Sequence, residues 1–305
     1  MFRSLRLVLT VLVCSLAIPL IAATGASAGG APTCIVSLSP TATETLFAIG
    51  AGHQVQAVDV DSDYPTSGLP TKRINSLDPS VEAVLGICKA SAVHPSTKPN
   101  LVIISFDANA IKEKLSALGV KVVEQDAPKN VAGALAQIRQ LGALTGHVAK
   151  ADALAASMQH TIAADIASVP SHAGKTLSGY YELSTSYYSL TSSTFVGSLL
   201  KALGVVNIAD AHNTSADAGY PQLNAEYIIS ANPKMIFLAD TVCCKASAAS
   251  VAKRPGFSKV TAVKDGEVVG LNDDIASRWG PRLVNLVNDL TRSVKGALSN
   301  SKLWK

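Results

Sequence analysis

Aromatic residues make up only 5% of the 305-residue chain, so any gathering of tyrosines stands out from background. No basic stripe and no interleaving of aromatics with lysine and arginine is present. That excludes the usual footprint of a nucleic-acid surface. Beyond residue 23 there is no second long apolar run, which excludes a membrane span further along the chain. Gly-x-Ser-x-Gly is missing as well, and no histidine or acid is set by motif to activate a serine, so a hydrolase reading has little support. The histidines His53, His94, His147, His160, His172 and His212 are scattered singly, without HxH or HxxxH spacing. A binder of free zinc or manganese needs several ligands converging on one point and is the weaker alternative.

The beginning of the chain is different in kind. Arg3 and Arg6 precede an apolar run from Leu7 to Ala23, and Ala26-Ser27-Ala28 precede Gly29-Gly30. This is the layout of a secretory signal, with cleavage expected after Ala28 and an exported mature chain. Taking 28 from 305 leaves 277 residues, enough for two modest lobes. The basic count falls from 26 to 24 against 22 acidic residues, close to neutral. Val13 before Cys14 and Thr33 before Cys34 do not form a lipobox, so retention at a membrane is left open.

Four cysteines survive cleavage: Cys34, Cys88, Cys243 and Cys244. In an exported chain an even number is expected to pair. Cys34 opens a strand and Cys88 follows a helix leading back to the next strand start, which favours that pair at the amino end of a parallel sheet. Cys243 and Cys244 follow a later strand, at the opposite edge, as a vicinal disulfide or as thiols.

Short apolar runs alternate with helical segments. "IVSL" (35–38), "LVII" (101–104), "VKVVEQ" (120–125), "KMIFLA" (234–239) and "EVVGL" (267–271) read as strands, and "ANAIKEKLSALG" (108–119) as a helix between two of them. The alternation predicts parallel sheets covered by helices. Residues 130–169 are alanine-rich, lack proline and keep apolar residues at helical spacing. They predict two helices divided near Gly142 to Gly146, the second a strut between lobes, ended by Pro170. The expected organisation is a signal (1–28), an N-terminal α/β lobe (29–147), a connecting helix (148–169) and a C-terminal α/β lobe (170–305).

The two halves echo each other. "LFAIGAG" (46–52), "PSVEAVLG" (79–86) and "KPNLVII" (98–104) correspond to "LLKALGV" (199–205), "LNAEYIIS" (223–230) and "NPKMIFL" (232–238). Similar lobes on either side of a helix imply a cleft between them.

In order along the chain, "SLSPTATETLFAIGAG", "VDVDSDYP", "DPSVEAVLG", "LGVVNIAD", "YPQLNAEYIISANPKMIFLAD" and "NDDIASRWGPRLVNLV" together resemble the solute-binding proteins of cobalamin and ferric-siderophore ABC importers. The resemblance implies two Rossmann-like lobes joined by a single long α-helix, limited hinge motion, a ligand held in the cleft and no catalysis. It implies an ABC permease and its ATPase subunits as partners, and cobalamin or a ferric siderophore or haem-type chelate as ligand. No cofactor or metal of the protein's own, no nucleic acid and a monomer are expected.

Site residues follow. Pro40 suits a first helical turn behind a Ser39 N-cap, and the Ser39-Pro40-Thr41 turn would bring N–H groups and hydroxyls to the cleft rim; the alternative is an ordinary cap. Tyr64, Tyr187, Tyr188 and Tyr220 offer apolar area with a polar tip to a flat chelate, or are partly buried core. Glu82 and Glu226 match the family's permease-docking carboxylates. Otherwise they are first-turn acids of short helices begun by Asp78-Pro79 and Asn224. Asp273, Asp274 and Arg278 should lie at the cleft edge, with Arg278 holding an anionic ligand group or pairing with Asp274 on a helix surface. Arg282 and Trp279 are expected to brace the last helix. Arg73 and Arg278 are the main arginines near the cleft, and so small a number favours cobalamin or another near-neutral chelate.

Overall fold

Strand by strand, apolar runs point alternate side chains into two different cores. The computed structural model describes residues 31–90, 96–172 and 174–305; the expected signal and His94 lie outside them. In β1 (Ile35–Leu38), Ile35 enters one core while Val36 and Leu38 enter another. Strands buried on both faces are apolar at most positions, here interrupted by the hydrogen-bonded Ser37, which is why they lack the in–out alternation of a half-exposed sheet.

The N-terminal lobe continues with α1 (Pro40–Ala48), β2 (Val55–Asp59), β3 (Arg73–Ile74), α2 (Val81–Leu85), β4 (Leu101–Ile104), α3 (Ile111–Ala117), β5 (Lys121–Glu124) and α4 (Val131–Thr145). Its sheet is wholly parallel, in the order β3-β2-β1-β4-β5. The long α5 (Val148–Ala167) then leads to the second lobe. That lobe holds β6 (Leu177–Glu182), α6 (Phe195–Ala202), β7 (Val205–Asn207), α7 (Ala225–Ala231), β8 (Met235–Leu238), α8 (Ala248–Ala252), α9 (Thr261–Asp265), β9 (Val268–Gly270), α10 (Asp273–Ala276) and α11 (Leu283–Ser299). Its parallel sheet runs β7-β6-β8-β9. Apart from edge strand β3, the two sheets share one strand order, so the sequence echo reflects one topology used twice.

The break between α4 and α5 falls where expected. Gly146 ends α4 with φ +79, a left-handed cap that glycine adopts without a Cβ penalty. A Cβ on Gly142 would meet the Ala151 Cβ at 2.3 Å, so glycine lets the two helices touch. At its other end α5 stops at Ala167, three residues before Pro170.

α5 is not alone in linking the lobes. Its buried stripe of Ala151, Ala155, Met158 and Ile162 packs against α4 and α11. α11 contributes Leu283, Leu286, Val287, Leu290, Val294 and Ala297 to the same core, which also contains Ile35 and Leu101 of one sheet and Met235 and Phe237 of the other. The chain preceding α11 reaches back to the first lobe, where Arg282 meets Glu44 of α1 and Trp279 Nε1 donates to Gln137 Oε1 of α4 at 2.7 Å. α11 then returns to the second lobe, where Asn300 Nδ2 donates to Glu267 Oε1 at 2.7 Å. Arg282 and Trp279 therefore do more than brace a helix: they fasten it to the opposite lobe.

Cys34 and Cys88 form a disulfide at the amino end of the first sheet, with Cα atoms 6.3 Å apart. Beside it, Asn100 Oδ1 accepts from the N–H groups of Thr33 and Cys34, tying the start of β1 to the approach to β4. Cys243 and Cys244 are joined as a vicinal disulfide in the exposed loop after β8.

Candidate ligand-binding cleft

In open parallel sheets ligands sit beyond the carboxyl ends of the strands, where neighbouring connections run to opposite sides. In the first lobe that point lies between β1 and β4. A cavity of about 310 Å³ occupies it, lined on one side by Ser39, Thr41, Asp61 and Ser105 and on the other by Asp274 and Arg278, with Pro40, Ser277 and Trp279 completing the wall. Its lining thus joins the residues after β1, β2 and β4 to those after β9.

Ser39 is the N-cap of α1, its Oγ accepting from the Ala42 N–H at 3.2 Å. Pro40 has no N–H to give, so Thr41 carries the first-turn donor left to face the cavity. Behind this turn, Ser62 Oγ lies within hydrogen-bond distance of both Thr43 Oγ1 and the Asp59 carboxylate, and Thr43 donates to Ser37 Oγ at 2.9 Å. This buried chain pins the loop after β2 to α1 and so positions Asp61, Asp63 and Tyr64. Burial pushes the Asp59 carboxyl above its ordinary value despite the Ser62 hydrogen bond.

The central electrostatic feature is Arg278, only 5% exposed. Its Nη1 donates to Glu44 Oε1 at 3.0 Å and to Asp63; its Nη2 donates to the Asp61 carbonyl and to Asp274, each at 2.9 Å. Arg282 grips Glu44 with two further bonds, of 3.0 and 2.6 Å, and its guanidinium lies 4.5 Å from the centre of the Tyr64 ring. Glu44 itself is 2% exposed. The Asp274–Arg278 pair expected on a helix surface does form, but within a network centred on buried Arg278 and Glu44 that spans both lobes. Burial is the largest single influence on both Asp63 and Asp274; for Asp63 the hydrogen bond and charge of Arg278, with hydrogen bonds from Asp274 and its own backbone, together outweigh it and lower the pKa, whereas Asp274 stays raised.

The other expected residues lie around this centre. Tyr64 lines a second cavity of about 410 Å³ with Phe47, Pro65, Pro281 and Arg282. Tyr187 is half-buried and stacks on Phe257, ring centres 6.0 Å apart, which is the core alternative weighed for it. Tyr188 and Tyr220 are 46% and 41% exposed, and their segments adjoin: Tyr188 bridges Gln222, and Ser189 N–H donates to the Pro221 carbonyl. None of these three tyrosines lines the 310 Å³ cavity. Asp273 turns away from the cavity and receives the N–H groups of Thr241, Val242 and Cys243, holding the vicinal-disulfide loop. Arg73 Nη1 donates to the carbonyls of Asp59 and Ser62.

Glu82 and Glu226 are both exposed. The helix carrying Glu82 is capped by Ser80, not begun by Asp78-Pro79, because the Ser80 hydroxyl accepts from the Ala83 N–H and also donates to Glu82. Asn224 caps α7 as expected. Each glutamate is the second helical residue, on a helix leading into corresponding strands β4 and β8. Hydrogen bonds from its own N–H and from Ser80 hold the Glu82 carboxyl below its ordinary range.

Sequence reasoning missed Glu44, Asp61, Asp63 and Ser105. Asp61, Asp63 and Ser105 follow predicted or evident strand ends and could have been found by asking what lies beyond each carboxyl edge. Among the described residues no three His, Cys, Asp or Glu side chains are grouped to hold a metal ion.

Comparison with known proteins agrees with this geometry. A family model described as periplasmic binding protein matches residues 35–275. An ABC transporter substrate-binding lipoprotein of Bacillus subtilis strain 168 is 31% identical over 277 residues, covering 86% of this chain and 80% of that one. A cobalamin-binding protein of Halobacterium salinarum is 29% identical, covering 83% and 67%. In fold, the chain is similar to a periplasmic haem-binding protein of Roseiflexus sp. RS-1, with a TM-score of 0.71, 23% identity and coverage of 89% and 100%. With two parallel α/β lobes, a shared cavity between them and a matched span reaching from β1 to α10, the chain belongs to the periplasmic binding protein family, as a substrate-binding protein of ABC transporters.

Proposed function

We propose that this chain captures cobalamin or a ferric siderophore or haem-type chelate outside the cytoplasm and delivers it, chemically unchanged, to an ABC permease and its ATPase subunits. It acts as a monomer after cleavage behind Ala28. The observation that carries this reading is the cavity lined from both lobes at the carboxyl ends of their strands. A chelate of this class is larger than 310 Å³, so one edge enters the cavity while its faces meet aromatic side chains at the rim, for which the exposed Tyr188 and Tyr220 are suited. The likeness to a cobalamin-binding relative supports the ligand class.

Docking falls to Glu82 and Glu226. Two exposed carboxylates at corresponding positions of the two lobes orient a partner as well as attract it, since both must engage together. Calorimetric titration of the mature chain with cyanocobalamin, haem and a panel of ferric siderophores should give tight binding of one of them; folded protein that binds none sinks the reading. Glu82→Ala with Glu226→Ala should abolish uptake and leave ligand affinity intact. A loss of affinity would move both residues into the pocket.

A further inference from the structure

An arginine at a binding cleft ordinarily advertises an anionic ligand, because its planar fork matches carboxylate and phosphate oxygens. Arg278 lines the cavity, yet its terminal Nη donors are already taken. Of the five N–H groups an arginine carries, all four on Nη1 and Nη2 have protein acceptors: Glu44, Asp63, the Asp61 carbonyl and Asp274. Arg282 spends its Nε and Nη2 on Glu44 and lies over the Tyr64 ring. Arg73 is held by two backbone carbonyls.

The charge balance goes the other way. Around the cavity stand two guanidinium groups, Arg278 and Arg282, and four carboxylates, Glu44, Asp61, Asp63 and Asp274, which leaves a net charge of −2. Asp61 and Asp274 are the acids that line the cavity itself, and Asp61 is exposed. An anionic group entering here meets carboxylate oxygens and hydroxyls, and finds the Nη edge of Arg278, the one arginine lining the cavity, already occupied.

We infer that the cleft selects by charge, accepting a metal chelate of zero or positive net charge and excluding anionic ones. The inference rests on the proposed chelate-binding function and narrows its substrate class. Asp61 and Asp274 are the specificity-determining residues. Their field acts at close range in a cavity walled by protein, where screening by salt is weaker than on an open surface.

Two charge ladders on fixed cores test this. One is ferrioxamine B with its pendant ammonium, its neutral N-acetyl form and its anionic N-succinyl form. The other is cyanocobalamin, the monocarboxylate made by hydrolysing one side-chain amide, and the aminoethyl amide of that acid. Each is titrated into wild-type protein and Asp61→Asn at pH 7, in low salt and in 0.5 M salt. For the core that binds, affinity should drop about tenfold per unit of negative charge added. The contrast should shrink in high salt and in Asp61→Asn. An anionic member that binds as tightly as its neutral parent, tight binding of haem with its two carboxylates, or a contrast untouched by Asp61→Asn overturns charge selection and leaves the proposed function standing. Failure of every member of both ladders and of haem to bind folded protein overturns both.

Discussion

Asp240 lies just beyond β8, is 0% exposed, and neither of its carboxylate oxygens has a hydrogen-bond partner among the described residues. Burial, reinforced by the negative charge of Glu182, pushes its pKa from the ordinary 3.8 up to about 6, with Arg254 opposing. Because the folded state holds this proton to a higher pH than the unfolded chain does, stability from this group is greatest below pH 3.8. It declines as pH rises towards 6, and the loss is complete above that. The displacement corresponds to a penalty on the order of 3 kcal/mol at neutral pH. Asp240→Asn removes the ionisation. Relative to wild type the variant should therefore gain about 3 kcal/mol between pH 4 and pH 7. The assay is urea unfolding followed by circular dichroism at half-unit pH steps. With a slope of about 3 kcal/mol/M for a chain of this size, the gain is a midpoint shift of about 1 M. A stability difference that stays constant across this range, or shrinks as pH rises, would refute the reasoning and mean that Asp240 finds a donor or water in solution.

Glu44→Gln removes the carboxylate that buried Arg278 and half-buried Arg282 share, and should destabilise the protein by about 3–5 kcal/mol in the same assay. Adding Arg282→Met should recover part of the loss by removing the guanidinium left without its partner, and a double variant worse than the sum of its parts would contradict this. Cys34→Ser with Cys88→Ser opens a loop closed across a sequence separation of 54, for a chain-entropy loss of about 4 kcal/mol. Since that bridge lies at the amino end of the sheet, ligand affinity should be unchanged; a change in affinity would mean that the two ends of the lobe are coupled.

Much of this architecture could be read directly from residues whose neighbours in sequence are their partners in space. Apolar runs such as Leu101–Ile104 declare a strand buried on both faces, and Gly146 declares a helix end. Residue order along alternating elements also sufficed to pair Cys34 with Cys88. What stayed hidden depends on contacts no local pattern records. Glu44 and Arg278 are 234 residues apart, and nothing near either one names the other. Similarly, Tyr187 resembles Tyr188 and Tyr220 in composition and context, yet its backbone takes φ +67 and turns it onto Phe257. Residue type sets what a side chain is able to do, while its direction is set by a fold assembled from distant segments.

The second link between the lobes has a consequence for communication. The chain passes from one lobe to the other along α5, reaches back at Trp279 and Arg282, which bond Gln137 and Glu44, and returns along α11. A body pinned so near its pivot would have little travel at the rims. Under the proposed delivery role, empty and loaded forms would then present almost the same silhouette, and a permease would gain little information from outline alone. Occupancy would have to be signalled by the cargo itself, exposed between the lobes, or by small changes in how firmly the proposed docking residues Glu82 and Glu226 are held apart.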